Sequence, residues 1–120
     1  MMRDIISALS SVRVPAVLSE YQLHDLVAKA LADAGIDAQH EVKLAPRCRI
    51  DFLAGRIGIE IKQGEHQRGR LLQQAERYLA HDALDALVLV TTRGVNLPGE
   101  IQGKRLVVCG MNRLWGVALP

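Results

Sequence analysis

An α/β fold, with a mixed sheet held between helices, is the architecture this sequence predicts. Three observations carry that prediction. Two stretches with helical spacing of apolar residues, 19–35 and 65–82, bracket three strand-like segments between residues 38 and 62. The run Ala86–Thr91 is almost continuously aliphatic, the mark of a strand covered on both faces. The order is therefore helix, three strands, helix, strand, strand. Three strands in succession form an antiparallel meander, and a crossover helix then delivers a parallel neighbour.

At 120 residues the chain is expected to be one domain, with a core over about residues 19–92 and C-terminal strands over about 104–119. A 49 % hydrophobic and 23 % charged composition suits a soluble globular protein. Aromatic residues make up only 3 %, so the core must be aliphatic, and a single-strand-binding surface of stacked rings is disfavoured. The net charge of +2 implies no nucleic-acid partner by itself; an electropositive surface would have to come from local clustering. Cys48 and Cys109 lie far apart in apolar runs, outside any CxxC or Cys/His set. They read as free thiols of a reducing compartment, not as zinc ligands. With no basic-then-apolar leader and no apolar run of about 20 residues, the chain is expected to be soluble and cytoplasmic.

Ile5, Ile6 and Leu9 give a short amphipathic signal, which Pro15 must interrupt. Val12 to Leu18 then reads as a connector. Ser19 with Gln22 three residues on predicts a capping box. Leu23, Leu26, Val27, Ala30, Leu31 and Ala34 form the stripe of the helix it opens, and Gly35 closes that helix. Glu20 lies in line with this stripe, either aimed at whatever the helix packs on or simply favoured by the helix dipole. Ala38 to Leu44 reads as a strand closed by Ala45-Pro46, and Arg47 to Leu53 as a second. A turn at Ala54-Gly55 leads to a third, Arg56 to Lys62. Glu65 to Asp82 reads as a long helix with Leu71, Leu72, Ala75, Tyr78 and Leu79 inward. Gln67, Gln74 and Tyr78 edge that face, beside a basic stripe of His66, Arg70, Arg77 and His81. Such a stripe suits a groove that meets phosphates, or is an ordinary solvated face. Gly94 to Gly103 reads as a loop, Arg105 to Cys109 as a buried strand, and Leu114 to Leu119 as a last short one.

The chemistry gathers on the hairpin Arg49–Lys62. Side chains alternate along a strand, so Gly58, Glu60 and Lys62 share one face while Ile57, Ile59 and Ile61 take the other. A strand glycine commonly marks close backbone approach or room beside a site. Asp51 on the neighbouring strand adds a second carboxylate. Two acids and an ammonium on adjoining strands form a candidate site for a divalent metal and an attacking water. Crowding the acids offers a fold no evident gain, which favours a site over a decorated hairpin.

Asp51, the Glu60-Ile61-Lys62 triplet and the helix after it, in this element order, resemble the PD-(D/E)XK nuclease superfamily over about residues 19–92. Glu20 matches the helix-borne acid of archaeal-type Holliday junction resolvases. Gln74 and Tyr78 form a Gln-x-x-x-Tyr similar to that of the RecB-like branch. Ile50, where some members have proline, departs from the pattern.

The resemblance implies an αβββαβ restriction-endonuclease-like core and Mg²⁺- or Mn²⁺-dependent hydrolysis of phosphodiesters. Asp51, Glu60, the Ile61 carbonyl and Glu20 would hold the metal. Lys62 would orient the attacking water or stabilise developing charge, and Gln74 would hold that lysine or the scissile phosphate. Tyr78 is expected to pack, with its hydroxyl satisfied. Arg47, Arg49, Arg56, His66, Arg68, Arg70 and Arg77 would grip phosphates. DNA is the expected partner, cut with structure selectivity or weak sequence preference. A homodimer is one route to cutting both strands, with Leu106 to Leu119 as a candidate pairing surface. The alternatives are a nuclease-fold subunit that binds nucleic acid or a protein without cutting, and an RNA-directed nuclease.

Overall fold

Capping and turn chemistry place most of the element boundaries. A computed structural model of the chain describes residues 1–12, 19–64 and 66–110. The short amphipathic signal near the N-terminus is a helix, α1 (Met2–Ser10), with Ile5, Ala8 and Leu9 buried. Helix α2 (Glu20–Asp33) opens on the expected capping box. The Ser19 hydroxyl accepts the Gln22 N–H at 3.1 Å, and the Gln22 side chain accepts the Ser19 N–H at 2.9 Å. It ends where Gly35 takes φ +74°, with Ile36 N–H on the Leu31 carbonyl and Gly35 N–H on that of Ala32. That paired closure is a Schellman motif, and only glycine adopts its left-handed residue without cost.

Strands β1 (Gln39–Ala45), β2 (Cys48–Ala54) and β3 (Ile57–Lys62) form the expected antiparallel meander. The β2–β3 connection is a two-residue turn of Gly55 and Arg56, with Gly55 at φ +61°. Helix α3 (Arg68–Leu79) crosses over to β4 (Ala86–Thr91), which pairs parallel with β3 from Ile57↔Ala86 to Lys62↔Thr91. The helix is shorter than the expected 65–82. Gln67 is still extended, and beyond Ala80 the chain turns so that Leu84 enters the core. A two-residue strand β5 (Glu100–Ile101), not expected from the sequence, pairs with β6 (Lys104–Gly110). Gln102 and Gly103, both with positive φ, make that turn. The expected strand at 114–119, and with it most of the candidate pairing surface, lies outside the described residues.

The six strands run in the order β1-β2-β3-β4-β6-β5, an open mixed sheet. Helices α1 and α2 cover one face, where Ile5, Leu9, Leu23, Val27 and Leu31 meet Phe52, Ile59, Ile61, Val88 and Val90. Helix α3 covers the other, where Ala75, Tyr78 and Leu79 meet Ile50, Leu84, Leu87, Leu89 and Leu106. Ile59 and Ile61 thus face α2 while Glu60 faces α3, as strand alternation requires. No helix among the described residues is long and apolar enough to cross a membrane.

Alternation breaks at one place. Ile50 packs in the α3-side core and Phe52, two residues on, in the α2-side core. In β1, Val42 and Leu44 pack on the α3 side, whereas the His40 ring stacks on Phe52 at 4.3 Å. Asp51 and Glu41 lie opposite each other at this reversal, unpaired between His40↔Phe52 and Val42↔Ile50. Glu41 has φ +51°, a left-handed conformation that costs a residue with a side chain about 1–2 kcal/mol. Pairing of β2 with β3 also stops short of Asp51, at Phe52↔Ile59. The sheet is therefore open on both sides of Asp51.

A carboxylate pair at a break in the sheet

The two acids fill the gap that the missing ladder leaves. The Asp51 carboxylate accepts the Ile61 N–H at 2.8 Å, and the Glu60 carboxylate accepts the Asp51 N–H at 3.1 Å. Each acid thus satisfies a backbone donor that regular pairing would have used, which keeps an interior ladder break affordable. Charge-assisted bonds of this kind are roughly twice as strong as neutral ones.

Glu60 is the buried member, only 6 % exposed. Its second oxygen lies 2.9 Å from the Tyr78 hydroxyl and 3.4 Å from Lys62 Nζ. The same hydroxyl lies 3.1 Å from the Arg49 carbonyl, so its single proton has two alternative acceptors. Burial, and then the neighbouring Asp51 charge, push the Glu60 pKa up from 4.5 to about 7, against the opposing pull of Lys62, Tyr78 and the Asp51 N–H. Burial raises Tyr78 as well, with Glu60 adding to it, so the phenol stays protonated and serves as a donor.

Asp51 meets α2 on its other side. His24 Nε2 stands 3.7 Å from Asp51 Oδ2, and both side chains are about one-fifth exposed. The imidazole is held among His40, with ring centres 6.4 Å apart, and Phe52, at 6.1 Å. Reading the residues in order did not single out His24 or His40. One signal was available: His24 is one turn on from Glu20 and adjoins buried Leu23, on the flank of the α2 stripe.

The expected site residues are brought together unequally. Asp51, Glu60 and Lys62 converge, and Tyr78 is the satisfied core aromatic it was expected to be, with the site itself as partner. Glu20 is exposed at the first turn of α2, and the helix puts His24 against Asp51 instead. Gln74 is half-buried one turn before Tyr78, and its side chain makes no hydrogen bond to another described residue. Gly58 serves packing: a Cβ there would lie 2.3 Å from Ile50 Cδ1 and 3.1 Å from both Leu84 methyls.

The basic residues divide similarly. Arg56 lies in the hairpin turn, bound to Asp85 at 2.8 Å and to the Asp82 carbonyl, roughly 13 Å along β3 from Glu60. Arg68 is tied to the Asn96 carbonyl at 2.7 Å, and His66 to that of Gln63 at 2.8 Å. Arg47, Arg70 and Arg77 are exposed, and exposed Arg49 stands 3.9 Å from Glu41.

Among the described residues no three His, Cys, Asp or Glu side chains converge as a ready metal cage. The donors present nevertheless fit a hard divalent cation. Two carboxylates repel each other across a short gap, and a cation would relieve both that repulsion and the elevated Glu60 pKa. Mg²⁺ commonly takes one or two protein carboxylates and completes its shell with water and substrate phosphate. In class this is an α/β chain whose mixed sheet carries an acid pair at an opened ladder. The chain matches no known protein family, curated protein or solved structure to which it was compared.

Proposed function

We propose that this chain is a divalent-metal-dependent nuclease built on a restriction-endonuclease-like core, hydrolysing phosphodiesters of DNA. The observation that carries the proposal is the pair of backbone hydrogen bonds that set the two acids side by side, Asp51 N–H to the Glu60 carboxylate and Ile61 N–H to the Asp51 carboxylate, with Lys62 Nζ 3.4 Å from Glu60. The order α2-β1-β2-β3-α3-β4 supports it, since it sets the acids on adjacent antiparallel strands and a crossover helix behind them.

A bound Mg²⁺ or Mn²⁺ would neutralise phosphoryl oxygens and activate water at neutral pH. Asp51 and Glu60 would hold it, with the Ile61 carbonyl as a main-chain donor and water completing the shell, since Glu20 is exposed at the first turn of α2. Glu60 must be ionised to serve, so its pKa of about 7 makes metal affinity rise with pH up to neutrality. Tyr78 fixes the Glu60 carboxylate by donating to it. Lys62, released from Glu60, stabilises negative charge at the phosphorus. Exposed Arg47, Arg49, Arg70 and Arg77 supply phosphate contacts, which position the strand without reading sequence.

A non-cutting, nucleic-acid-binding subunit is the second reading, favoured by one observation: both Glu60 oxygens already have partners within the fold. A panel of supercoiled, linear, single-stranded and four-way-junction DNA, and of RNA, with and without Mn²⁺, separates the readings. Nicking that needs Mn²⁺ and disappears in Glu60→Ala and Lys62→Ala proteins is the expected result. Salt-sensitive binding without cleavage of any substrate would establish the second reading.

A further inference from the structure

A cavity of about 460 Å³ lies on the α2 side of the carboxylate pair, lined by Glu20, Tyr21, His24, Asp25, His40 and Glu41. We infer that this cavity receives an unstacked nucleobase of the strand whose phosphate lies at Asp51; the inference rests on the nuclease reading and adds the substrate's form to it.

Three observations point the same way. First, rings are concentrated here. The chain has one Phe, two Tyr, one Trp and four His. Of these, Tyr21, His24 and His40 line the cavity, and Phe52 backs His40 in a stack tilted by 18°. Tyr21 is 77 % exposed, so its ring is free to close over a guest. The low aromatic total rules out a long stacking platform but not one base-sized seat, since a single ring suffices per base. Second, the lining has a definite sign. Glu20, Asp25 and Glu41 are its charged residues and no Lys or Arg is among them. Such a wall repels phosphate, yet accepts from the amino and imino N–H groups of a base edge, as acids accept from cytosine N4. Third, the cavity adjoins the site. His24 belongs to both, 3.7 Å from Asp51, and Glu41 lies opposite Asp51 in a strained conformation. Strain held in this way clusters at ligand-binding positions.

With the phosphate at Asp51 and the base in the adjoining ring-lined cavity, the base has left its stack, so single strands, frayed ends and branch points are the fitting substrates. The test is anisotropy binding of labelled single strands in EDTA, comparing a cytosine strand with an abasic strand of equal length and phosphate count. The full-length chain is expected to bind the base-bearing strand about tenfold tighter. Tyr21→Ala/His40→Ala, two exposed positions whose loss leaves the core intact, is expected to bind both strands with the abasic affinity. Equal binding of the two strands by the unaltered chain, or discrimination retained in the double variant, overturns the inference. Mn²⁺-dependent nicking without discrimination would leave the nuclease reading standing, whereas discrimination without nicking of any substrate would remove the nuclease reading alone.

Discussion

Replacing Glu60 by glutamine tests the electrostatics of the site directly. In the fold the Glu60 carboxyl binds its proton more tightly than in the unfolded chain, because burial and Asp51 raise its pKa from 4.5 to about 7. A raised acid pKa contributes stability that is fully present below about pH 4.5 and lost as pH climbs through about 7. At 1.36 kcal/mol per pKa unit, the ionised form costs the fold about 3 kcal/mol above neutrality.

Glutamine mimics the protonated acid, and the surrounding network can accommodate it. The carbonyl of the new amide accepts the Asp51 N–H, and its NH₂ donates to the Tyr78 oxygen. The Tyr78 proton then turns to the Arg49 carbonyl, already at 3.1 Å. Urea unfolding from pH 4 to pH 8.5 should therefore show Glu60→Gln level with the unaltered chain at the acid end, below about pH 4.5. At pH 8 it should be more stable by about 3 kcal/mol, a large fraction of a typical domain's stability. Mn²⁺ should narrow that gap by stabilising only the chain that keeps the acid. A stability difference that does not change with pH, or a glutamine variant less stable at pH 8 than at pH 5 relative to the unaltered chain, would refute the reasoning.

Tyr78→Phe removes the hydroxyl that serves Glu60 and the Arg49 carbonyl, and should cost about 1–3 kcal/mol by leaving buried acceptors short of a donor. Because that hydrogen bond lowers the Glu60 pKa, the pH at which stability falls should move upward, as a pH series of urea midpoints would register. Gly58→Ala should cost about 1–3 kcal/mol from overpacking against Ile50 and Leu84, measured by thermal or urea unfolding.

Local chemistry made much of the fold legible. The Ser19–Gln22 box and Gly35 as helix stop each depend on residues a few positions apart and stand where the sequence puts them, while the β2–β3 turn falls one residue later than expected, at Gly55-Arg56. The burial of β4 is equally readable, since Ala86–Thr91 has no polar side chain before its last residue. The misjudged boundaries, at both ends of α3 and at β5, lie where tertiary packing overrides periodicity. Leu84 leaves the helix to fill the core beneath Gly58, and Glu100 and Ile101 become a strand only because β6 lies beside them.

The site divides along the same line. Asp51, Glu60 and Lys62 were visible as two acids and an ammonium on a short hairpin, because strand alternation is a property of the chain itself. Alternation alone says that Ile50 and Phe52 share a face; the folded sheet puts them on opposite faces and turns Asp51 into the gap. That reversal needs Glu41 opposite, in a left-handed conformation no sequence rule assigns to glutamate. The approach of His24 to Asp51 depends on the rotation of α2 about its axis, which the packing of Leu23, Val27 and Leu31 sets, and that rotation leaves Glu20 exposed. The chain's own residues set which groups are available and in what order the elements come, because capping, turns and alternation act over a few residues. Which of those groups meet was settled by folding, because an opened ladder and the rotation of a helix are outcomes of packing between residues far apart in the chain.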